Sequence, residues 1–292
     1  MKLGKRIRQS IDQATGSPVM ELGNLRKLHV DDDNTFSCMG VHSPKHWIEQ
    51  GYTPQQAFYV WGQQFVSIFV EEVTSLYSET EDYRKKHVKA EGEYMPSGPP
   101  MSPLTASYFS YWASFDLRFG KHSETMGRVV VELLDAYKAT GWPRQVLEKM
   151  SASRLGVYEH VGFEDNRILL REFVTDRIFQ CICPAGYTGE KGEIWLDRLL
   201  PPLLDTDPWL VAITPYVISH PKAAWDAYFE RTLFRMRKPS LDEAYEKLMK
   251  QGENLHHWHE YIFLAFTHAR RDAIFLTGVP DDPSSLPHAA DC

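Results

Sequence analysis

The 292-residue chain contains no long apolar run and few cysteines. No stretch approaches the roughly 18 to 20 continuous apolar residues that a membrane-spanning helix needs, and no apolar segment of signal-peptide length follows the basic start at Met1–Arg8. The cysteines, Cys38, Cys181, Cys183 and Cys292, are too few for a disulfide scaffold in a chain of this length. We therefore expect a soluble cytoplasmic protein with free thiols and no membrane association.

The chain also lacks an excess of positive charge. Its formal net charge of -7 at pH 7 argues against unspecific binding to phosphate backbones, because such binding needs clustered Lys and Arg. Hydrophobic residues make up 43% and charged residues 24%, as in ordinary globular proteins, and aromatics at 13% indicate a core rich in rings. We expect an ordered globular chain for which nucleic acid is not the partner.

Local motifs that would identify a reaction are absent. There is no Gly-x-Ser-x-Gly nucleophile turn, and the glycine-rich stretch 186–192 lacks the Gly-Lys-Ser/Thr order of a phosphate loop. A His-Glu-x-x-His zinc motif is missing, and its inverted form is broken by Tyr261. Glu253 and His256 match one half of a di-iron motif, but no second copy is present. No motif therefore fixes an enzymatic activity.

The first half of the chain carries helical patterns. Residues 1–42 are predicted to be an irregular N-terminal tail with a solvated acidic turn at Asp31–Asp33. Residues 43–153 are predicted to be helical, since Thr53-Pro54-Gln55-Gln56 forms a helix start and apolar residues follow at spacings of three and four. The Pro- and Gly-rich stretch Gly92–Pro103 is the clearest loop in the chain.

Residues 154–218 contain five short runs rich in Val, Ile, Leu, Phe and Trp, separated by turn-type residues. Strands joined by such short turns predict an antiparallel meander, and five of them in this length suggest a small barrel of the SH3 or OB type. Cys181 and Cys183 would face the same side of one strand. They are interpreted as small buried apolar residues, with a shared metal ion as the alternative.

Residues 219–278 return to helical patterns, with a capping box at Ser240–Glu243, and are predicted to pack on 43–153. Residues 279–292 are predicted to be a C-terminal tail. The fold class expected is α+β, with a mainly helical body and an inserted small five-stranded antiparallel β-barrel.

Histidines and carboxylates are concentrated near the C-terminus, on what the apolar spacing predicts to be one helix of about 24 residues from Leu255. His256, His259 and Glu260 lie within about one helical turn and could bind a metal ion, and His268 and Asp272 could form a proton-transfer pair. His257 and His268 would lie about 16 Å apart along the axis, so the two groups could not share one ion. Hydrogen-bonded structural histidines are the favoured interpretation.

Two functions remain open on the sequence. The leading hypothesis is a binding or regulatory protein without a metal. It would engage a protein partner, or a second copy of itself, through the β module or an aromatic helical surface, and the loop with Tyr187 and Lys191 is one candidate contact. The alternative is a metal-dependent hydrolase, with Zn, Mn or Fe bound at His256, His259 and Glu260 and with the His268 and Asp272 pair transferring protons.

Overall fold

The computed structural model describes residues 2–13, 40–96, 102–136 and 141–289. The chain divides into two compact units. The first unit comprises Met1–Lys89, Ser110–Ala152 and Leu203–Asp207. The second unit comprises Ala90–Phe109, Ser153–Pro202 and Pro208–Cys292.

The described parts of residues 43–153 are helical, as predicted, and a further helix lies near the N-terminus. The α-helices described there are α1 (Leu3–Gln13), α2 (Pro44–Glu49), α3 (Pro54–Leu76), α4 (Glu81–Tyr94), α5 (Ala106–Tyr111), α6 (Met126–Ala136) and α7 (Trp142–Ala152). A 3₁₀ turn at Ser78–Thr80 precedes α4, and a π-helical segment at Trp112–Asp116 continues α5. None of the helices described in the chain is both long enough and apolar enough to cross a membrane.

The start of α3 is set by the predicted capping box. The backbone N–H of Gln56 donates to the Thr53 hydroxyl, and the Thr53 N–H donates to the Gln56 side chain at 2.9 Å. Pro54 occupies the first helical turn, where a missing N–H costs nothing. The helix then buries the apolar stripe that includes Trp61, Phe65 and Phe69. Local sequence therefore fixes where this long helix begins and which face it buries.

The expectation of an irregular N-terminal tail is corrected at its start, because Leu3–Gln13 is helical. Leu3 and Ile7 lie four residues apart and are both buried, which gives this short helix an apolar face. Gly4 lies so close to α6 that a Cβ there would be 3.1 Å from the Val129 carbonyl oxygen. The rest of the expected tail, including Asp31–Asp33, lies mainly in residues 14–39 and outside the described residues.

The predicted small β-barrel is confirmed. Its strands are β1 (Leu155–Glu164), β2 (Arg167–Glu172), β3 (Ile178–Ile182), β4 (Ile194–Leu200) and β5 (Trp209–Val211). They close in the order β1-β2-β3-β5-β4, with β4 pairing back to β1. The pairing is mixed rather than wholly antiparallel, since β3 and β5 run parallel.

The last predicted barrel strand is interrupted. The run 209–218 forms β5 and a separate strand β6 (Tyr216–Ile218). Pro215 lies in the break between them, and its lack of a backbone N–H prevents it from donating to a ladder. Two strands with different partners therefore replace the single strand expected from the sequence.

The C-terminal part of the second unit combines helices with two further strands. The helices are α8 (Lys222–Met236), α9 (Leu241–Gln251) and α10 (His257–Ala265), and the strands are β7 (Phe266–Ala269) and β8 (Ile274–Leu276). β8 pairs parallel with β6 and antiparallel with β7, which extends the sheet to eight strands within the described residues. A 3₁₀ turn follows at Pro283–Ser285, within the predicted tail.

The prediction of one terminal helix of about 24 residues is wrong, because the helix ends at Ala265. The run Ile274–Leu276 is wholly buried, as expected for a strand that lies inside a sheet. Residues 219–278 belong to the second unit together with the barrel. Their predicted packing on 43–153 concerns the arrangement of the two units and stays a prediction.

Candidate functional site

The first candidate site is the histidine group at the start of α10. His259 is only 1% exposed, and its Nδ1 lies 3.1 Å from the Tyr108 hydroxyl. The ring of Tyr94 contacts His259 and His256, with centroid distances of 5.1 and 5.2 Å. His256 precedes the helix, and its backbone N–H donates to the Asn254 side chain at 2.7 Å. The histidines are therefore packed into an aromatic cluster.

The electrostatics of this cluster favour neutral, structural imidazoles. Burial, with a smaller contribution from the neighbouring His256, lowers the pKa of His259 to about 3. Burial also lowers the pKa of His257, whose Nε2 lies 2.9 Å from the Tyr228 hydroxyl. Both rings therefore remain neutral near pH 7 and take part in hydrogen bonds with tyrosines.

The predicted metal ligands do not form a coordination sphere. The ring centroids of His256 and His259 lie 6.0 Å apart with a tilt of 51°, and Glu260 is an exposed side chain that accepts a long hydrogen bond of 3.5 Å from Asn254. Among the residues that the structure describes, no group of three or more His, Cys, Asp and Glu side chains could hold a metal ion. The metal-dependent hydrolase thus stays a prediction that this geometry does not favour.

The predicted proton-transfer pair does not have its expected geometry. His268 lies on β7 and Asp272 lies in the turn before β8, so they are not one helical turn apart. The His268 ring stacks on Phe275 with centroids 4.5 Å apart, and its Nδ1 lies 3.2 Å from the Thr267 hydroxyl. In this described hairpin no hydrogen bond joins His268 to Asp272. The end of the helix at Ala265 removes the spacing on which the pair was predicted.

A second candidate is a buried carboxyl group in the barrel. Alternation along β4 places Asp197 on the same face as Trp195 and Leu199, which belong to the barrel core. Asp197 is fully buried; its Oδ1 accepts the Arg198 backbone N–H at 2.7 Å, and its Oδ2 has no hydrogen-bond partner among the described residues. Burial raises the pKa of Asp197 well above its ordinary value.

The two strand cysteines lie beside this carboxyl group. Cys181 is buried in the barrel core, which confirms its interpretation as a small buried residue. Cys183 lies one residue beyond β3 and is only partly buried where it packs against that core. Burial raises the pKa of the Cys181 thiol well above its ordinary value and that of Cys183 to about 12, with Asp197 adding to both effects. Protonated thiols are poor nucleophiles and poor metal ligands, so the barrel interior has the character of a core.

Replacement of Asp197 by Asn is expected to make folding stability less dependent on pH. An unfolded carboxyl group releases its proton near pH 3.8, whereas the folded state retains it to higher pH, so the wild type loses stability as pH rises above about 4. Because Asn does not titrate, the folding stability of the variant should not decline in this way, and the variant should be more stable than the wild type at pH 7. Urea unfolding at a series of pH values measures the free energy of unfolding, with the exposed turn substitution Asp165→Asn as the control. Wild-type and Asp197→Asn stabilities that change with pH in parallel would contradict the expectation.

The third candidate is an apolar groove in the second unit, which we call the α8/α9 groove. It has a volume of about 790 Å³. Its floor contains the buried side chains of Phe229, Leu233 and Ala244, and its rim contains Phe234 and Leu241, which are 86% and 56% exposed. The other lining residues are Phe173, Val174, Asp226, Glu230, Arg231, Arg237, Lys238, Pro239 and Ser240.

Local sequence explains why the rim is apolar. Phe229 and Leu233 lie four residues apart on the buried face of α8, and Phe234 follows Leu233 directly, about 100° around the helix and off that face. Arg237 ends α8 in a left-handed conformation with φ 48°, and the Ser240 hydroxyl caps α9 by accepting the Glu243 N–H at 3.2 Å. The link between the helices is therefore short and leads directly to Leu241.

The barrel contributes one wall of the groove. Phe173 and Val174 directly follow β2, and the Phe173 ring lies 6.1 Å from the Phe229 ring between centroids. The Lys222 ammonium also contacts the Phe173 ring, at 4.5 Å from its centre. The groove thus contains residues of the β module and of an aromatic helical face, the two kinds of contact surface expected from the sequence.

Charges are distributed unevenly around the groove. Asp226 is bridged by Lys222 at 2.8 Å, and Arg231 is bridged by Asp281 at 2.9 Å. Arg237 and Lys238 are exposed at the link between the helices, and neither forms an ion pair with any described residue. Glu230 also has no ion-pair partner in the described parts of the chain. Among the lining residues, the link end of the groove therefore carries two positively charged side chains without an ion pair to a described residue. Asp242, which pairs with Arg177, and Glu243 follow in the first turn of α9, outside the lining.

Comparisons of this chain with protein-family models, with curated proteins and with solved structures find no match. The histidines are neutral and hydrogen-bonded, and the buried carboxyl group lies in a core. The α8/α9 groove is the candidate that exposes both large apolar side chains and charged side chains without an ion pair to a described residue.

Proposed function

We propose that this protein binds another macromolecule and that the α8/α9 groove is the contact surface. The observation that carries the proposal is the 86% exposure of Phe234 on the rim of an apolar groove of about 790 Å³. Exposed aromatic surface is costly in water, and contiguous apolar surface on a folded protein is typical of interaction sites.

A macromolecular partner explains the rim better than a small molecule does. A ligand within the groove would contact the floor residues Phe229 and Leu233 but would leave the outer faces of Phe234 and Leu241 in water. A protein surface covers floor and rim together, and aromatic side chains at the centre of such contacts often contribute most of the binding energy. The proposed role is therefore that of a binding or regulatory protein.

Replacement of Phe234 by Ser is expected to weaken partner binding by about thirtyfold, because an interface hot spot contributes on the order of 2 kcal/mol. Folding stability should change by less than about 0.5 kcal/mol, since the ring is already exposed. Proteins that co-purify with the wild type would be quantified in parallel purifications of the wild type and the variant. For each protein that is recovered less with the variant, the affinity would then be measured with purified components.

The matched control is Phe163→Ser on the barrel, where the same residue type is 53% exposed and lies outside the groove. A partner that binds through the groove is lost from the Phe234 variant and retained by the Phe163 variant. Equal recovery of partners by the wild type and both variants, together with unchanged affinities in binding measurements on purified components, would rule out the groove as the contact surface.

A further inference from the structure

We infer that the α8/α9 groove takes an amphipathic helix of a partner protein, with acidic residues at the end that faces Arg237 and Lys238. The inference rests on the proposed function and adds the conformation, polarity and charge of the occupant. This occupant is supported by the backbone groups of the groove walls, which are already hydrogen-bonded, by the length of the groove along α8 and by the charges of its lining residues.

The walls of the groove favour a helical occupant. Two of its walls are the helices α8 and α9, whose interior backbone N–H and C=O groups are already hydrogen-bonded within each helix. An extended peptide on this floor would leave its own backbone groups unpaired against Phe229 and Leu233, which is costly. A helix satisfies its backbone internally and presents only side chains to an apolar floor.

The dimensions agree with a helix of about three turns. Lining residues on and just beyond α8 extend from Asp226 to Arg237, which is about 17 Å at a rise of 1.5 Å per residue. An occupant of this length presents apolar side chains to the groove at positions i, i+3 or i+4, and i+7. Those anchors would contact the Phe229 and Leu233 floor and the Phe234 rim.

The charges give the occupant a direction. Asp226 and Arg231 are already compensated by Lys222 and Asp281, so they add little net attraction. Among the lining residues, the charged groups without an ion pair to a described residue are Glu230 within α8 and the Arg237-Lys238 pair at its end, about 10 Å apart along the helix axis. Acidic side chains of the occupant therefore belong beside Arg237 and Lys238, where opposite charges set orientation and speed association.

A displayed library of random 16-residue peptides, selected against the wild-type protein and counter-selected against the Phe234→Ser variant, tests the occupant even while the partner is unidentified. We expect enriched peptides with large apolar residues at helical spacing and with Asp or Glu concentrated at one end. The purified peptides should gain helical circular dichroism on binding to the full-length protein, and their affinities should be lower for Phe234→Ser.

The outcomes separate this inference from the proposed function. Peptides that require Phe234 but bind in an extended conformation, or carry basic ends, would overturn the helical acidic occupant and leave the groove as a binding surface. Sedimentation that shows a dimer dependent on Phe234 would identify a second copy as the occupant and overturn the inference as well. A failure to enrich any peptide that depends on Phe234 would count against both.

A charge reversal tests the direction of the occupant. The double variant Arg237→Glu/Lys238→Glu should lower the affinity of the best acidic-ended peptide about tenfold, since two exposed ion pairs are replaced by repulsion. The same peptide with Lys in place of its acidic residues should bind this variant more tightly than it binds the wild type.

The control for the reversal is Lys121→Glu/Arg271→Glu, which makes the same change in net charge at exposed positions that do not line the groove. This control should leave both affinities within about twofold of the wild-type values, because neither side chain lines the groove. Equal losses in the two double variants would show that net charge alone acts, and would overturn the placement of the acidic end at Arg237 and Lys238.

Discussion

Replacement of Glu172 by Ala is expected to lower the free energy of unfolding by about 3 kcal/mol, because it leaves a largely buried guanidinium without its counter-charge. Glu172 is 1% exposed and accepts hydrogen bonds from Arg154 at 2.7 and 3.0 Å. The Thr175 hydroxyl donates a third bond to it at 2.6 Å. No other carboxylate among the described residues forms an ion pair with Arg154.

The loss should be large because only 19% of the Arg154 side chain is exposed and neighbouring groups hold its guanidinium in place. Its guanidinium lies 4.6 Å from the centre of the Tyr245 ring and donates to the Leu155 carbonyl at 3.0 Å. The Tyr245 hydroxyl in turn accepts the Val157 N–H at 3.0 Å, which ties α9 to β1. One substitution therefore disturbs the attachment of a helix to the barrel and not merely one ion pair.

Urea unfolding followed by tryptophan fluorescence measures this loss. The matched control is Glu159→Ala, which removes the partner of Arg171 in a pair of 2.7 Å between β1 and β2. Because that pair is partly exposed, its removal should cost no more than about 1 kcal/mol. Similar losses in the two variants would show that burial does not distinguish the pairs. Glu172→Gln should lie between wild type and Glu172→Ala, since it retains an acceptor oxygen.

The parts of the fold that depend on residues close together in the sequence were predictable. The Thr53 capping box, the short turn at Asp165-Asn166 and the alternating strands of the barrel are each encoded within a few residues. The terminal β7–β8 hairpin was not predictable in this way. β8 is fixed by pairing Tyr216 with Ile274, two residues far apart in the chain, and the spacing of Ala265, Ala269 and Ala273 is equally compatible with a helix.

The candidate site was predictable only in part. The apolar face of α8 with Trp225, Phe229 and Leu233 was visible from its spacing, and Phe234 could have been recognised as a large aromatic residue beside that face. The groove itself also needs Phe173 from the end of β2, a contact between residues distant in sequence. The histidines were candidate metal ligands because of their chemistry, yet in the structure His259 is a buried hydrogen-bond partner of Tyr108.

The wild-type protein is expected to lose about 2 kcal/mol of folding stability between pH 7 and pH 5 through His259. In the unfolded chain this imidazole accepts a proton near its ordinary pKa of 6.5, whereas burial in the folded state lowers the pKa to about 3. The unfolded state therefore binds more protons across this interval, and stability falls as the pH falls, by about 1.4 kcal/mol per unit below 6.5. The lowered pKa of His257 acts in the same direction.

His259→Asn isolates this contribution, because the Asn side chain can still meet the Tyr108 hydroxyl near the position of Nδ1 but does not titrate. The variant should be less stable than the wild type at pH 7, and the difference should shrink by about 2 kcal/mol at pH 5. Denaturant unfolding at both pH values measures the change, with His268→Asn on the exposed β7 strand as the control. A wild-type to His259→Asn difference that is the same at both pH values, or protonation of the folded His259 ring near pH 6 in a nuclear magnetic resonance titration, would contradict its role as a neutral buried histidine.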